Sequence, residues 1–308
     1  MAERRCAVVA VLGAPNAGKS TLVNTLVGAK VAAVTQKVQT TRALVRGIAM
    51  RGDVQLVLID TPGVFAPRRR LDRAMVAAAW SALEGADAIL HVVDASAHAN
   101  GQSGADLHAI EDSQRIGSKL KQMELASILV LNKVDAVPRP RLLELTASLV
   151  DQGLYTDVFM VSAKNKDGVE DVARILAERA PEGAWLFPED QTMDAPARVL
   201  AAEITREKAF LRLHEELPYE LTVETDAWEE RKDGSAKIDQ TIYVARESQR
   251  KIAIGAKGQT IKTIGELARK EMEAVFGRRI HLFLHVKVDE NWTEQRSVYQ
   301  RLGLDFEA

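Results

Sequence analysis

Short apolar runs alternate with longer segments of helical period over the first 180 residues. The runs occupy 6–12, 44–50, 54–59, 88–93, 127–131 and 157–161. Such alternation is typical of a mostly parallel sheet with helices on both faces, because parallel neighbours are joined by crossover segments that are usually helical. We expect the run at 44–50 to form an antiparallel edge strand. The pattern therefore predicts an α/β domain over 1–180.

The pattern changes after residue 180. Residues 181–196, "PEGAWLFPEDQTMDAP", contain three prolines and several acidic residues and interrupt both periods, so we interpret them as a linker. A helical stretch at 197–213 then precedes two strands joined by a "RKDGS" turn. Helical residues at 248–275, interrupted by "GAKG", and a last strand, "RIHLFLHVKV", complete the order α-β-β-α-α-β. This order predicts a smaller α+β domain over 197–308.

Charge is distributed unevenly over the second half of the chain. The 308 residues carry a formal net charge of −2, and residues 181–308 contain 19 basic against 24 acidic side chains. Residues 246–270 reverse this balance with seven basic and two acidic side chains. Because local potential rather than total charge attracts a polyanion, a nucleic-acid site in this half must rest on a local basic patch, and this segment provides one.

The cysteine count bears on the cellular compartment. The single cysteine, Cys6, lies in a predicted buried strand and has no partner for an intramolecular disulfide, which favours a reducing, cytoplasmic setting. No uncharged apolar run reaches about 18 residues, so we expect no membrane-spanning helix.

The stretch "GAPNAGKS" follows the first apolar run and matches the pattern G-x-x-x-x-G-K-[ST]. Its glycines let backbone N–H groups approach phosphate oxygens, and the helix that follows directs its positive end toward them. We expect Lys19 to lie along the β- and γ-phosphates and Ser20 to bind Mg²⁺. The predicted phosphate-binding residues are Gly13, Ala14, Pro15, Asn16, Ala17, Gly18, Lys19, Ser20 and Thr21.

A second motif, "DTPG", ends the strand "VQLVLI". Its carboxylate, Asp60, is expected to reach the metal ion through water, and the Gly63 N–H is expected to contact the γ-phosphate. The nucleotide-binding residues predicted in this turn are Asp60, Thr61, Pro62, Gly63 and Val64.

A third and a fourth motif select the base. The carboxylate of Asp135 can accept two hydrogen bonds from guanine N1 and N2, and adenine offers no such pair of donors. Lys133 is expected to lie along the ring, Asn132 to tie this loop to the phosphate loop, and the Ala163 N–H to contact guanine O6. The base-binding residues are Asn132, Lys133, Val134 and Asp135, followed by Ser162, Ala163 and Lys164. The motifs therefore predict GTP and GDP as ligands rather than ATP.

The order of these motifs resembles the translation-factor-like GTPases. Within them, "GAPNAGKSTLVNTLVG", "QTTR" at 39–42 and "DTPG" resemble the Era family. The resemblance implies that "QTTR" lies in switch I and that Thr40 or Thr41 completes the Mg²⁺ shell; spacing does not choose between them. The catalytic candidates are Asn16, Lys19, Thr40, Thr41, Asp60 and Gly63, and the metal-binding candidates are Ser20, Thr40, Thr41 and Asp60.

Val64 occupies the position at which Ras-like enzymes carry the glutamine that orients the attacking water. An apolar side chain cannot align water, so we expect slow intrinsic hydrolysis. Proteins that this chain resembles share the feature, and several use a potassium ion held by the asparagine of the phosphate loop, which is Asn16 here. The hypothesis is that K⁺ takes the place of an arginine finger; the alternative is that Asn16 only braces the loop.

In the second domain, Ile254 to Lys262 carry the pattern I-G-x-x-G-x-x-I-K. A G-x-x-G loop between two helices lets the backbone of single-stranded RNA pass close to the protein, and basic side chains beside it contact phosphates. With the α-β-β-α-α-β order, this segment resembles a type II KH domain. The predicted RNA-binding residues are Arg250, Lys251, Ile254, Gly255, Ala256, Lys257, Gly258 and Lys262.

The chain resembles the Era family from end to end, including the tail "NWTEQRSVYQRLGLDF". The resemblance implies a GTPase of small-subunit assembly that binds the single-stranded 3′ end of 16S rRNA and the 30S subunit, with peripheral association at the inner membrane. We expect a monomer. Two functions remain open: a GTP-hydrolysing timer released by hydrolysis, and an RNA clamp whose shape nucleotide only toggles.

Overall fold

The computed structural model describes residues 4–35, 41–151, 155–213 and 217–308. These residues divide into two compact units. The first unit holds the described parts of Met1–Ala32, Thr41–Asp194 and Tyr299–Ala308, and the second holds those of Ala33–Thr40 and Ala195–Val298. Within the described residues, no helix combines the length and apolar character needed to cross a membrane.

In the first unit, strands alternate with helices as the apolar periodicity predicts. The strands are β1 (Arg5–Gly13), β2 (Val45–Arg51), β3 (Val54–Asp60), β4 (Ala88–Asp94), β5 (Ser127–Asn132), β6 (Tyr155–Val161) and β7 (Met193–Asp194). The helices are α1 (Lys19–Val27), α2 (Arg70–Ser81), α3 (Ala95–Asn100), α4 (Gly104–Gln122), α5 (Arg139–Val150) and α6 (Val169–Glu178).

These strands form one sheet in the order β6-β5-β4-β1-β3-β2-β7. β1, β3, β4, β5 and β6 pair in parallel, whereas β2 pairs antiparallel with β3 and with β7. Val9 and Val11 of β1 pack with helices α1 and α6 on one face. Leu12 packs with Ile116 and Leu120 of α4 on the other. The carboxyl ends of the parallel strands therefore meet at one edge of a sheet that is covered on both sides, where ligands of such sheets bind.

The second unit has the predicted order of elements. It contains α7 (Ala197–Arg212), β8 (Leu221–Glu230), β9 (Ala236–Val244), α8 (Glu247–Ile254), α9 (Gln259–Phe276) and β10 (Ile280–Val288). β8 and β9 form an antiparallel hairpin, and β10 joins β9 in parallel. Phe210, Ile242, Ile264 and Val286 meet in a core between the helices and this sheet. α10 (Arg296–Leu302) contains the change from the second unit back to the first.

The bounds of the units differ from the predicted 1–180, 181–196 and 197–308 at the proposed linker. Residues 181–194 belong to the first unit. The buried amide of Gln55 accepts hydrogen bonds from the backbone of Leu186 (2.9 Å) and Phe187 (3.0 Å) and donates one to the Phe187 carbonyl (2.8 Å). β7, which lies within the same segment, pairs with β2, so β2 is antiparallel as predicted but is not the edge strand.

Two further segments also fall outside the expected bounds. Residues Tyr299–Ala308 belong to the first unit rather than to the second. The ring of Phe306 packs edge-on against Tyr299 (4.9 Å between centroids), and the guanidinium of Arg70 lies 4.5 Å from its centroid. Ala33–Thr40 groups with the second unit, and within its described part the Val34 N–H donates to Glu207 Oε2 (3.0 Å).

Candidate nucleotide and nucleic-acid sites

The phosphate loop connects the end of β1 to the start of α1. Asn16 (φ 63°) and Gly18 (φ 94°) adopt left-handed backbone conformations that turn the chain tightly before the helix. A β-carbon on Gly18 would lie 2.1 Å from Asn132 Nδ2, so the packing requires glycine there. Lys19 is buried, and its ammonium donates to the carbonyl oxygens of Gly13 and Ala14, both at 3.0 Å. The loop is thus closed on itself around the lysine.

The "DTPG" turn packs against this loop. The Val64 N–H donates to the Gly13 carbonyl (3.1 Å), and the Thr61 hydroxyl donates to the Val11 carbonyl (2.7 Å). The side chain of Val64 is 1% exposed and lies in an apolar cluster with Leu12 and Ile116. It therefore has a packing role in the described structure and offers no polar group to a water molecule.

Oxygen ligands suited to a divalent cation converge beside the loop. The Ser20 hydroxyl donates to Asp60 Oδ2 (2.6 Å) and lies 2.9 Å from the Thr41 hydroxyl, which is 3.3 Å from the same carboxylate oxygen. Asp60 Oδ1 is buried and has no hydrogen-bond partner among the described residues. Of the two threonines that the sequence leaves open, Thr41 lies in this cluster and Thr40 lies outside the described residues.

The cluster fits a magnesium ion shared with phosphates. A single carboxylate with hydroxyl groups is the protein contribution that such ions take when a nucleotide supplies further oxygens. A group of three or more His, Cys, Asp or Glu side chains able to hold a metal ion does not occur in the described ranges. The donors present therefore favour a nucleotide-dependent Mg²⁺ site over a metal site made by protein side chains alone.

Burial shifts the titration of the two charged groups at this site. Desolvation raises the pKa of Asp60 to about 6, against the opposing effects of the hydrogen bond from Ser20 and the charge of Lys19. Desolvation also lowers the pKa of Lys19 to about 8, although the Asp60 charge acts in the opposite direction. Burial thus disfavours both charged forms, and an anionic ligand with its metal ion would restore partners to each.

Asn132, at the end of β5, joins three loops. Its Nδ2 donates to the Ala17 carbonyl in the phosphate loop (2.9 Å), and its Oδ1 accepts from the Ala163 N–H (3.0 Å). The Thr25 hydroxyl of α1 donates to the Ala163 carbonyl (2.9 Å). The structure therefore ties the "NKVD" loop to the phosphate loop, as the sequence predicts, and adds the "SAK" loop to the same network.

The Ala163 N–H has a different hydrogen-bond partner from the one that the sequence predicts. The sequence predicts that this donor contacts guanine O6, yet in the structure it donates to Asn132 Oδ1. A base at this position would share the donor with Asn132 or displace it. Ser162 is buried, with its N–H bonded to the Asp167 carbonyl (3.0 Å), while Lys164 is exposed.

Asp135 and Lys133 have contrasting surroundings. Asp135 is exposed and makes no hydrogen bond or ion pair within the described structure. Lys133 has a left-handed backbone (φ 64°), and its ammonium lies 2.5 Å from Asp94 Oδ2. Sequence reasoning did not select Asp94. The available signal was an acidic residue at the carboxyl end of the strand next to β5.

The "GAKG" loop lies between α8 and α9, as predicted. Gly255 (φ 74°, ψ 174°) ends α8, and Gly258 (φ 77°) is the N-cap of α9. A β-carbon on Gly255 would lie 2.1 Å from Thr260 Oγ1, whereas one on Gly258 would meet no atom within 4 Å. Between them Lys257 adopts a left-handed conformation (φ 51°) and is exposed. The loop thus presents its lysine to solvent.

The other predicted RNA-binding side chains surround this loop. Lys251 and Lys262 are exposed, and neither has an ion pair within the described chain. Arg250 is half-buried and pairs with Glu247 (3.0 Å) within α8. Ile254 is half-buried and packs against the core of the unit, and Ala256 is exposed. Among the predicted RNA-binding residues, the positive charge without an ion pair in the described chain therefore comes from three lysines.

Comparison with known proteins assigns the family. The family described as 50S ribosome-binding GTPase matches residues 8–133, and the KH domain family matches residues 216–293. GTPase Era of Caulobacter vibrioides is 56% identical over 310 residues, which cover 99% of this chain and 98% of that protein. GTPase Era of Brucella suis is 54% identical over 304 residues, covering 99% and 94%. This chain belongs to the Era family.

Solved structures of Era agree with this assignment over both units. A crystal structure of Era in complex with MgGDPNP and nucleotides 1506–1542 of 16S ribosomal RNA matches with a TM-score of 0.86 and 34% identity. An Aquifex aeolicus Era variant bound to GDP·AlF₄⁻ matches with the same score and identity. Each match covers 97% of this chain and 99% of the Era chain. The predicted family and the predicted fold class, a P-loop GTPase domain followed by a smaller KH domain, are confirmed.

Proposed function

We propose that this chain binds and hydrolyses GTP and, in its nucleotide-regulated cycle, holds the single-stranded 3′ end of 16S rRNA during assembly of the small ribosomal subunit. The observation that carries the proposal is the pair of hydrogen bonds made by Asn132, which fasten the "NKVD" loop to the phosphate loop and to the "SAK" loop. A ligand with a base and a phosphate chain needs the "NKVD" loop and the phosphate loop at a fixed spacing. The Era relative that holds both MgGDPNP and 16S rRNA supports the RNA half.

In this proposal the phosphate loop and Lys19 bind the phosphates of GTP. Lys19 exchanges its bonds to the Gly13 and Ala14 carbonyls for phosphate oxygens, which also stabilises its charged form. Ser20, Thr41 and Asp60 would hold Mg²⁺, which when bound supplies positive charge to the β- and γ-phosphates. The Gly63 N–H contacts the γ-phosphate and so reports whether GTP or GDP is present.

Base selection rests on Asp135. Its exposed carboxylate pairs with guanine N1 and N2, and in an adenine complex it would lose both hydrogen bonds. We expect Asp135→Asn to shift preference from GTP toward xanthosine triphosphate, because the amide can donate to the additional carbonyl of xanthine. Competition binding with GTP, xanthosine triphosphate and ATP measures this, and a variant that still prefers GTP would contradict the assignment.

Hydrolysis is expected to be slow because the residue after Gly63 is a buried valine. We propose that K⁺, held in part by Asn16, supplies charge at the phosphates in place of an arginine finger. Asn16 lies in the turn of the phosphate loop, next to where the phosphates are proposed to bind. GTP turnover in K⁺ and Na⁺ buffers tests it, and equal rates would leave Asn16 with a bracing role only.

The lysines around the "GAKG" loop are proposed to bind RNA phosphates. They are exposed and have no acidic partner among the residues that the structure describes, so their charge is available to a polyanion. We expect the double variant Lys257→Asp with Lys262→Asp to weaken binding of an RNA 3′ tail while GTP binding stays unchanged. Loss of GTP binding in the same variant would indicate misfolding instead.

The timer and the clamp differ in one measurable quantity. If hydrolysis times release, GTP turnover should rise when an RNA 3′ tail or 30S subunits are added. If nucleotide only toggles shape, turnover should stay constant while RNA affinity depends on which nucleotide is bound. A cytoplasmic monomer with peripheral association at the inner membrane remains a prediction, which fractionation and sedimentation would test.

A further inference from the structure

Asp94 uses its two carboxylate oxygens for different purposes. Oδ1 accepts hydrogen bonds from the backbone N–H groups of Ser96 (2.9 Å) and Ala97 (3.2 Å) and from the Ser96 hydroxyl (2.6 Å), and so caps α3. Oδ2 contacts the ammonium of Lys133 at 2.5 Å. The first set of contacts explains the start of a helix. The second set reaches the loop that is proposed to bind guanine.

The sheet brings these groups together. β4 and β5 are parallel neighbours, and Asp94 is paired in register with Asn132. Lys133 follows directly and therefore leaves the sheet beside the carboxylate. The side chain of Asp94 is 11% exposed and that of Lys133 is 38% exposed, so the pair is only partly accessible to water. Ion pairs in such positions are screened less than surface pairs.

Lys133 also has an unusual backbone. Its φ of 64° is a conformation that residues other than glycine, asparagine and aspartate rarely adopt. The Ala136 N–H donates to the Lys133 carbonyl (3.1 Å), which fixes the following 3₁₀ turn and with it Asp135. A contact that holds Lys133 therefore acts on the residue next but one, which is the proposed guanine ligand.

We propose that Asp94 is a positioning residue for guanine binding: it holds the Lys133 ammonium so that the lysine stem and the Asp135 loop are ordered before the base arrives. This inference rests on the proposed function. Ordering a lysine side chain on binding would otherwise reduce affinity, and a side chain that is already held avoids much of that loss. Because GDP and GTP share the base, both should be affected equally.

The competing explanation is that Asp94 only caps α3. The substitution Asp94→Asn separates the two, because the asparagine side-chain oxygen still accepts the cap hydrogen bonds while the negative charge opposite Lys133 is lost. A matched control is Asp112→Asn in α4. The side chain of Asp112 is 13% exposed and pairs with Arg115 at 2.7 Å. Its burial and its ion pair are therefore similar to those of Asp94, but it lies away from the "NKVD" loop.

The experiment is calorimetric titration of the full chain with Mg·GDP and Mg·GTP. We expect Asp94→Asn to weaken the binding of both nucleotides about fivefold, which is within the range of a partly exposed ion pair. Asp112→Asn should leave both affinities unchanged. In a Lys133→Met background, Asp94→Asn should have no further effect, because the ammonium on which it acts is gone. A role confined to the helix cap would not produce this dependence on Lys133.

Two results would overturn the inference while leaving the proposed function intact: wild-type affinity in Asp94→Asn, or an equal loss from Asp94→Asn with and without Lys133→Met. A different weakening of GDP and GTP would also count against it, since the base is common to both. A wild-type chain that binds neither guanine nucleotide would overturn the proposed function and this inference with it.

Discussion

Two of the glycine-containing loops that precede helices in the described part of the chain are stabilised in different ways. Residues 13–18 precede α1, whose first residue is Lys19, and residues 255–258 precede α9. Directly after the first loop Lys19 is 5% exposed and bonded to two backbone carbonyls, while in the second loop Lys257 is exposed to solvent. The first loop is also fastened to a distant segment, because Asn132 Nδ2 donates to the Ala17 carbonyl (2.9 Å). Contacts between distant segments thus help to assemble a selective site for a compact ligand. A site for a long polyanion needs only local backbone geometry and accessible charge.

If this contrast is correct, removing the hydrogen bonds between distant segments should have the largest effect on stability and on nucleotide binding. Asn132→Ala removes both hydrogen bonds of the asparagine and leaves the Ala17 carbonyl and the Ala163 N–H unpaired. At about 1–3 kcal/mol for each buried group left without a partner, we expect about 3 kcal/mol less stability in the first unit and loss of measurable GTP binding. Hydrogen exchange of α1 and nucleotide titration measure the two effects.

The control for this substitution is Asn165→Ala. Asn165 lies in the same loop as Ala163, but its side chain is exposed, and we expect neither stability nor affinity to change. Normal GTP binding by Asn132→Ala would show that the two loops keep their spacing without the tie, and the contrast between the loops would fail.

The second prediction tests whether the "GAKG" loop is shaped by its own backbone. Gly255→Ala meets Thr260 and requires a φ/ψ combination, 74° and 174°, that is essentially restricted to glycine. Gly258→Ala meets no atom within 4 Å and requires only a left-handed φ of 77°. We expect the free energy of unfolding of the second unit to fall by about 2–3 kcal/mol in Gly255→Ala and by about 1 kcal/mol in Gly258→Ala.

Hydrogen exchange at the α8–α9 junction and RNA binding by fluorescence anisotropy should rank the two variants in this order. GTP affinity serves as the internal control, since neither glycine lies in the first unit. Equal losses of stability from the two substitutions would mean that the close contact with Thr260 relaxes at little cost. The left-handed φ alone would then determine the loss.

Sequence alone predicts the parts of these sites that depend on local spacing. The apolar periods give the strands, and the motifs at their carboxyl ends give Lys19, Asp60 and Asn132. Contacts between segments far apart in the chain are not readable in the same way. The anchoring of Leu186 by Gln55, 131 positions away, appears in the sequence only as one polar residue in an apolar strand. The partner of Lys133, Asp94, appears only as an acidic strand end.

The third prediction concerns pH and separates the buried site from the exposed one. The pKa of Asp60 is raised to about 6, so below that pH a proton competes with Mg²⁺ for the carboxylate. We expect the apparent Mg²⁺ affinity of the GDP complex to fall by up to about tenfold per pH unit below 6, as one proton is linked to metal release. RNA binding through lysines should not follow this profile between pH 5 and 7.

The effect of Asp60 on folding stability depends on pH in the opposite direction to its effect on Mg²⁺ binding. Because folding raises the pKa of Asp60 from 3.8, its contribution to the stability of the nucleotide-free protein is present below pH 4 and lost as pH rises through about 6. Lys19, with a pKa lowered from 10.5 to about 8, contributes above pH 10.5 and loses that contribution as pH falls through 8. Asp60→Asn should remove the acidic part of this dependence, which urea titrations across pH would measure. An unchanged profile would contradict the burial of this carboxylate.

The smallest effect on stability is expected where the loop is most exposed. Lys257→Ala replaces one residue that carries a β-carbon with another, so the left-handed φ of 51° costs about the same in each, and stability should stay within about 0.5 kcal/mol. RNA affinity should fall, and the slope of log affinity against log salt should decrease by about 0.7, the value for one contact to a single-stranded phosphate. Lys232→Ala, an exposed lysine in the β8–β9 turn, is the control that should leave the slope unchanged. If both variants gave the wild-type slope, the charge that binds RNA would come from the other predicted basic residues, Arg250, Lys251 and Lys262, and the loop would contribute through its backbone alone.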